Sequence, residues 1–200
     1  MVRMLFASVK QLNRPIVSMM HALPFACGED EDMDEFFSKD ALTYARHRIG
    51  KSYCFRLEED EKQIVACFTL SNDSIRIWDF GSSKKNAMWK ELTNREKMLS
   101  RFPGVLIGRL AVSEFFAGKG IGTEILDFVK MWFLSEENKT GCRLANVDAK
   151  NKPKVLNFYE RNGFRYLLIE RLTKTCISNL RKPSRNVKQE YRICVHSQRA

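Results

Sequence analysis

GRLAVSEFFAGKGIGTEILDFV, residues 108–129, is the stretch on which the reading of this chain turns. It leaves an apolar run that begins at Val105, passes Gly118, Gly120 and Gly122 at alternate positions, and enters a segment with helical character. The pattern predicts a strand over Val105 to Val112 and a helix from about Ile121 to Ser135, joined by a glycine-rich loop. At such a junction the first N–H groups of the helix lack intrahelical partners and the helix dipole adds partial positive charge, which makes an anion cradle. Glycine suits the place because side chains would hold a phosphate away from the backbone and resist positive φ. The loop is not a Walker loop, since G-x-x-x-x-G-K-[ST] is absent. Nor is it a dinucleotide fingerprint, since Thr123 takes the last glycine position and the strand lies mid-chain. By itself the same pattern also serves as a tight strand-to-helix turn.

Working outward, a strand follows from Arg143 to Asp148, then a helix from about Pro153 to Arg161, the break Asn162-Gly163, a strand from Phe164 to Ile169 and a last strand from Gln189 to Val195. Upstream, Ile16 to Met20 reads as a first strand. A helix spans about Glu31 to Arg48, with Met33, Phe36, Phe37, Leu42, Tyr44 and Ala45 on its apolar face and Gly50 closing it. Ser52 to Leu57 and Gln63 to Leu70 flank the turn EEDE as an antiparallel hairpin. Ser71 to Phe102 reads as a mobile basic insertion with a short helix around Met88 to Leu99. This order implies the α/β (α+β) class: one domain over residues 1–200, core about 16–196, with a mixed central sheet flanked by helices and a basic C-terminal segment at 171–200.

Two hundred residues with 44% hydrophobic and 11% aromatic content can bury one sizeable core. No run approaches the roughly 20 apolar residues of a membrane span. Lys10, Gln11, Asn13 and Arg14 interrupt the opening stretch, so no export signal is read there and a cytoplasmic protein is expected. Cys27, Cys54, Cys67, Cys142, Cys176 and Cys194, with His21, His47 and His196, are scattered without metal-ligand spacing; they read as reduced buried thiols and isolated imidazoles, and no metal is expected. The net charge of +10 favours polyanionic partners. From Arg171 to Ala200, eight basic residues face the single Glu190, which fits equally a solvated end or a polyanion-binding one. The acidic run Glu29 to Glu35 is read as electrostatic capping of the helix that follows.

The segment quoted above, followed about thirty residues later by LNFYERNGF, resembles the acetyl-coenzyme A site of the GNAT superfamily of acetyltransferases, and the likeness covers Val105 to Ile169. The resemblance implies that Ala117, Gly118, Lys119, Gly120, Ile121, Gly122 and Thr123 grip the coenzyme pyrophosphate. It implies too that the backbone of Leu110, Ala111 and Val112 binds the pantetheine arm. Tyr159 takes the position of the tyrosine that protonates the departing thiolate; packing beside Phe158 is the competing role for that ring. Two departures stand out. The family loop usually begins with Gln or Arg where this chain has Ala117, a loss that Lys119 can offset. The family's Asn seven residues before the tyrosine is Lys152 here.

Transfer to an amine needs its neutral form. An α-amine with pKa near 7.7–8.0 is roughly a tenth neutral at pH 7, whereas a lysine near 10.4 costs about 4 kcal/mol to deprotonate. Glu114 and Asp148 are the strand-end carboxylates available as bases, and neither is unambiguous. An α-amine acceptor is therefore the easier one. FACGEDEDMDEFFSKDALTYAR, residues 25–46, with GRLAV also resembles the GNAT subgroup that includes toxins acetylating aminoacyl-tRNA, and a tRNA body suits a +10 protein. Arg109, Lys84, Lys85, Arg95, Arg181, Lys182 and Arg185 are the candidate acceptor-binding cations, each with solvated surface charge as the alternative. The implied partners are acetyl-coenzyme A, aminoacyl-tRNA and a cognate antitoxin, with homodimerisation open. The alternatives are an N-acetyltransferase acting on a protein N-terminus or small amine, and a nucleic-acid-binding module that keeps a degenerate coenzyme loop.

Overall fold

The computed structural model describes residues 4–8, 25–28, 30–60, 62–92, 99–136, 138, 140–169 and 173–179. The strands are β1 (Met4–Ser8), β2 (Lys51–Leu57), β3 (Ile64–Arg76), β4 (Arg101–Val112), β5 (Leu144–Lys150), β6 (Arg165–Ile169) and β7 (Thr173–Asn179). The helices are α1 (Glu31–Glu35), α2 (Ala41–Arg46), α3 (Ser82–Leu92), α4 (Ile121–Leu134) and α5 (Pro153–Arg161), with a π turn Phe36–Asp40 linking α1 to α2. The strands form a sheet of order β1-β2-β3-β4-β5-β7-β6, mixed because β4 and β5 are parallel while β1-β2, β2-β3, β5-β7 and β6-β7 are antiparallel. The chain divides into two compact units, one of residues up to 71 and 108–128, the other of 72–107 and 129–179, so β3, β4 and α4 contribute to both. No helix among the described residues is long and apolar enough to cross a membrane.

In the first unit, Phe25, Phe36, Phe37 and Ala41 pack with Cys54, Ile64, Cys67 and Ala111. Of the apolar face expected of the 31–48 region, Phe36 and Phe37 are buried, in its π turn, and Met33 and Tyr44 pack against them, whereas Ala41 takes a core place and Leu42 and Ala45 stay half-buried. Three carboxylates, Glu31, Asp32 and Asp34, occupy the first turn of α1, as macrodipole capping requires. Asp34 also accepts hydrogen bonds from the Cys27 backbone N–H (3.1 Å) and thiol (3.0 Å). Gly50 does not close the helix. The stop is made by Arg48, at φ 59°, with Ile49 N–H bonding Tyr44 O and Arg48 N–H bonding Ala45 O, the Schellman arrangement. Gly50 serves a different need: a Cβ there would lie 3.1 Å from Thr69 Cγ2 and 3.3 Å from Leu70 O, so a side chain would crowd β3 at the entry to β2. The predicted hairpin forms, with Cys54 opposite Cys67.

In the second unit Ile75, Ile77, Met88, Phe102, Leu144, Leu167 and Ile177 form the core. The 71–102 stretch, read as a mobile insertion, is ordered over much of its length: β3 runs on to Arg76, a 3-10 turn covers Ile77–Asp79, and the helix is Ser82–Leu92 rather than 88–99. Ile77 and Met88 explain the difference, because each buries its side chain in that core. β7 was missed because its sequence, TKTCISN, opens a basic tail; it pairs with β5 from Leu144↔Asn179 to Lys150↔Thr173. The expected strands at 16–20 and 189–195 lie outside the described residues.

Candidate active site

Within the first unit β4 ends against β3, where Ser113 N–H donates to Val65 O (2.9 Å). A 3-10 turn over Glu114–Phe116 follows, its Phe116 and Ala117 N–H groups closing onto Ser113 and Glu114, while Glu114 N–H donates to Ala26 O (2.8 Å). At the far side of the loop, Thr123 and Glu124 N–H both bond Gly120 O, at 3.0 and 3.2 Å. Between these anchors the N–H groups of Gly118, Lys119, Gly120, Ile121 and Gly122 have no backbone acceptor among the described residues. Gly118 and Gly120 adopt φ 75° and 81°, and a Cβ built at either meets nothing within 4 Å among the described residues. A run of amides beside open space, at the start of a fourteen-residue helix, is a setting for a diphosphate, and these residues fit that group.

Lys119 stands with its Nζ 5.1 Å from the Phe116 ring centroid, on its own loop. Glu124, in the first turn of α4, has its carboxyl pKa raised by burial. Ala111 is buried, with Leu110 and Val112 half-buried beside it on β4. The β4-β5 ladder pairs only Gly104 to Leu106 with Leu144 to Asn146, although β4 continues to Val112.

Arg109 is not out in solvent. Its guanidinium lies 3.9 Å over the Phe36 ring and its Nη2 is 3.6 Å from Asp32 Oδ1. Its Nε is buried with no hydrogen-bond partner among the described residues. The acidic run and this arginine are thus one feature, which spacing along the chain does not reveal. Glu114 and Asp148 are both exposed.

In the second unit Tyr159 is 9% exposed, its ring edge-on to Phe158 (5.1 Å between centroids) and Phe164 (5.4 Å). The turn behind it is held by Gly163 at φ 79° and by Phe164 N–H bonding Tyr159 O. Sequence reasoning passed over Lys130, a buried lysine whose Nζ donates to Asn162 O (2.6 Å) and lies 5.0 Å from the Phe164 ring centroid. It places positive charge at the C-terminus of α5, where the dipole favours it, and so fixes the helix that carries Tyr159. A lone polar residue in the apolar run of 128–134, FVKMWFL, is the available signal. Lys84 donates to Leu167 O (3.0 Å) and Lys85 lies over Trp78; Arg95, Arg181, Lys182 and Arg185 lie outside the described residues.

Burial pushes the Cys27 and Cys54 thiols up to about 12 and Cys142 to about 11, with the Asp34 hydrogen bond adding at Cys27. These are inert packing thiols rather than nucleophiles. No metal-ligating cluster occurs among the described residues.

A mixed sheet in which a glycine-rich loop joins a parallel strand to a helix presents backbone amides suited to an anionic group such as a diphosphate. Residues 50–166 match the family model described as Acetyltransferase (GNAT) domain, and the chain belongs to that family of acetyltransferases. Comparison with curated proteins gives no match. Among solved structures, AtaT complexed with acetyl-methionyl-tRNAfMet is 19% identical with a TM-score of 0.69, covering 90% of this chain and 96% of that one. A tyrosine-to-phenylalanine mutant of KacT is 16% identical with a TM-score of 0.68 over 90% and 96% of the two chains. AtaTR bound with AcCoA is 18% identical with a TM-score of 0.63 over 89% and 94%.

Proposed function

We propose that this chain acetylates the α-amine of an aminoacyl-tRNA as the toxin of a toxin–antitoxin pair. The observation that carries the coenzyme part is the row of five N–H groups from Gly118 to Gly122 without backbone acceptors among the described residues. Acetyl-coenzyme A supplies the reactive thioester when bound. Gly118, Lys119, Gly120, Ile121 and Gly122 hold its diphosphate through backbone amides, Thr123, whose N–H bonds Gly120 O, closes the loop behind them, and Lys119 adds charge that Ala117 lacks. The backbone of Leu110, Ala111 and Val112 takes the pantetheine arm. Tyr159 moves a proton from its Oη to the leaving sulfur; Lys130 and Phe164 keep its helix end in place. The protein otherwise positions two reactants, which removes much of the entropic barrier without a covalent enzyme intermediate.

The acceptor reading is supported by the +10 charge, by the ease of deprotonating an α-amine compared with a lysine, and by the shared fold of AtaT, whose solved complex contains acetyl-methionyl-tRNAfMet. An antitoxin partner is proposed on the same footing: AtaT has been solved with the C-terminus of the antitoxin AtaR and acetyl-CoA. The test is incubation with labelled acetyl-coenzyme A and either charged or uncharged tRNA. Label on charged tRNA alone is the expected outcome. Label on uncharged tRNA, or on a peptide N-terminus in preference to charged tRNA, refutes the acceptor assignment while leaving acetyl transfer intact.

A further inference from the structure

The connection from β3 to β4 carries two of the chain's three tryptophans, Trp78 and Trp89, and, among the described residues from Arg76 to Arg101, five Lys and Arg against two carboxylates. Trp78, on the 3-10 turn, is 62% exposed although Ile77 beside it is fully buried. An indole left this far outside the core forgoes most of the burial that normally rewards it. Yet it is held. Trp89 of α3 meets it edge to face, with ring centroids 5.9 Å apart at 80°, and Trp89 Nε1–H donates to Leu99 O at 3.0 Å. Ile77 and Met88 root the turn and the helix among Phe102 and Leu144. Lys85 Nζ lies 4.5 Å from the Trp78 ring centroid and 5.7 Å from that of Trp89. Arg76 is fixed by a forked pair of bonds to Asp79, at 3.0 and 2.9 Å, and Lys90 is exposed on α3.

An exposed, pre-oriented aromatic face with cations laid around it matches what an unpaired nucleotide offers: a flat base and a phosphate. Stacking serves the first and Lys or Arg the second. We propose that Trp78, backed by Trp89 and Lys85, is a stacking platform for an unpaired nucleotide of the acceptor RNA. This rests on the aminoacyl-tRNA reading, because a tRNA offers unpaired nucleotides whose bases can stack while neighbouring phosphates meet the cations. The charge around the platform favours a polyanion over an apolar peptide.

The test is fluorescence anisotropy of a short fluorescein-labelled single-stranded RNA at fixed salt, with the full chain as wild type, Trp78→Ala and Trp78→Phe. Melting temperature and calorimetric acetyl-coenzyme A affinity are measured on each. Trp78→Ala is expected to weaken RNA binding about tenfold and Trp78→Phe far less, with melting and coenzyme affinity unchanged. Equal RNA affinity in Trp78→Ala and wild type overturns the platform, as does absence of RNA binding by wild type or tighter binding of a poly-glutamate peptide than of RNA. The two readings separate cleanly. If wild type acetylates charged tRNA and Trp78→Ala does so with the same KM for tRNA, the platform fails and the acceptor assignment stands. If Trp78→Ala loses RNA affinity while wild type never labels charged tRNA, the platform stands and the acceptor assignment fails.

Discussion

Replacing Gly120 with alanine separates the two roles a glycine loop can have. Gly120 sits at φ 81°, and a Cβ built there meets no heavy atom of the described residues within 4 Å. The cost to the protein without coenzyme is therefore conformational and not steric, about 1–2 kcal/mol for an L-residue in the left-handed region. For a chain of this size that lowers Tm by roughly 2–8 °C, since about 2–4 °C accompany each kcal/mol. The methyl also enters the space beside the unpartnered N–H groups. Each charge-assisted bond to phosphate that it prevents is worth about 1.5–3 kcal/mol, or roughly 10- to 100-fold in Kd. Calorimetry with acetyl-coenzyme A and melting without it measure the two effects separately. Gly120→Asn, better tolerated at positive φ, is expected to recover melting without recovering affinity. Gly120→Asp adds a carboxylate to the cradle and is expected to weaken the coenzyme further. A lower Tm in Gly120→Ala with an unchanged Kd would show that the loop is only a turn, and the coenzyme assignment would be wrong.

Tyr159→Phe is expected to lower kcat about a hundredfold while leaving coenzyme affinity and melting near wild type, because its ring contacts with Phe158 and Phe164 survive the change; an unaltered rate removes the hydroxyl from the mechanism. Gly104→Ala places a Cβ 2.8 Å from Asn146 Nδ2, which bonds Asp73 Oδ2 at 2.7 Å and belongs to a fully buried side chain. Loss of that bond is expected to cost about 1.5–3 kcal/mol, read by urea unfolding, and full stability in the variant would show that the amide can shift freely. For the thiols, Cys54 is raised from 9.0 to about 12 by burial, so the folded state keeps its proton where the unfolded state loses it. Its contribution is complete below pH 9 and is lost as pH rises towards 12; unfolding at pH 8 and pH 10 should show lower stability at the higher value, and Cys54→Ala should flatten the slope.

Much of this fold follows from chain pattern because it is built from local signals. The apolar run of 105–112, the glycine loop and the spacing of LNFYERNGF each specify an element within a few residues; α4 and α5 form where those signals place them, and β4 forms there too but begins four residues earlier, at Arg101. The hairpin of β2 and β3 follows from two β-rich runs around an acidic turn for the same reason. The misreadings share a cause as well. Ser71 to Phe102 looks polar and loosely patterned, yet Ile77 and Met88 order it through contacts with Phe102 and Leu144, far along the chain. TKTCISN reads as the start of a basic tail and becomes a strand only because β5 and β6 flank it.

The sequence by itself determined the family: a glycine loop followed by FYERNGF is a short-range statement about where amides and a phenol stand along the chain. Only tertiary structure decided the environments. It set Arg109 over Phe36 beside Asp32, gave the left-handed helix stop to Arg48 instead of Gly50, buried Lys130 against Asn162, and left Trp78 outside the core with a lysine across its ring. Each depends on groups brought together from separate elements or on how one element packs against another. Charge pairing, desolvation and exposure are properties of neighbours in space, and periodicity along the chain does not record them.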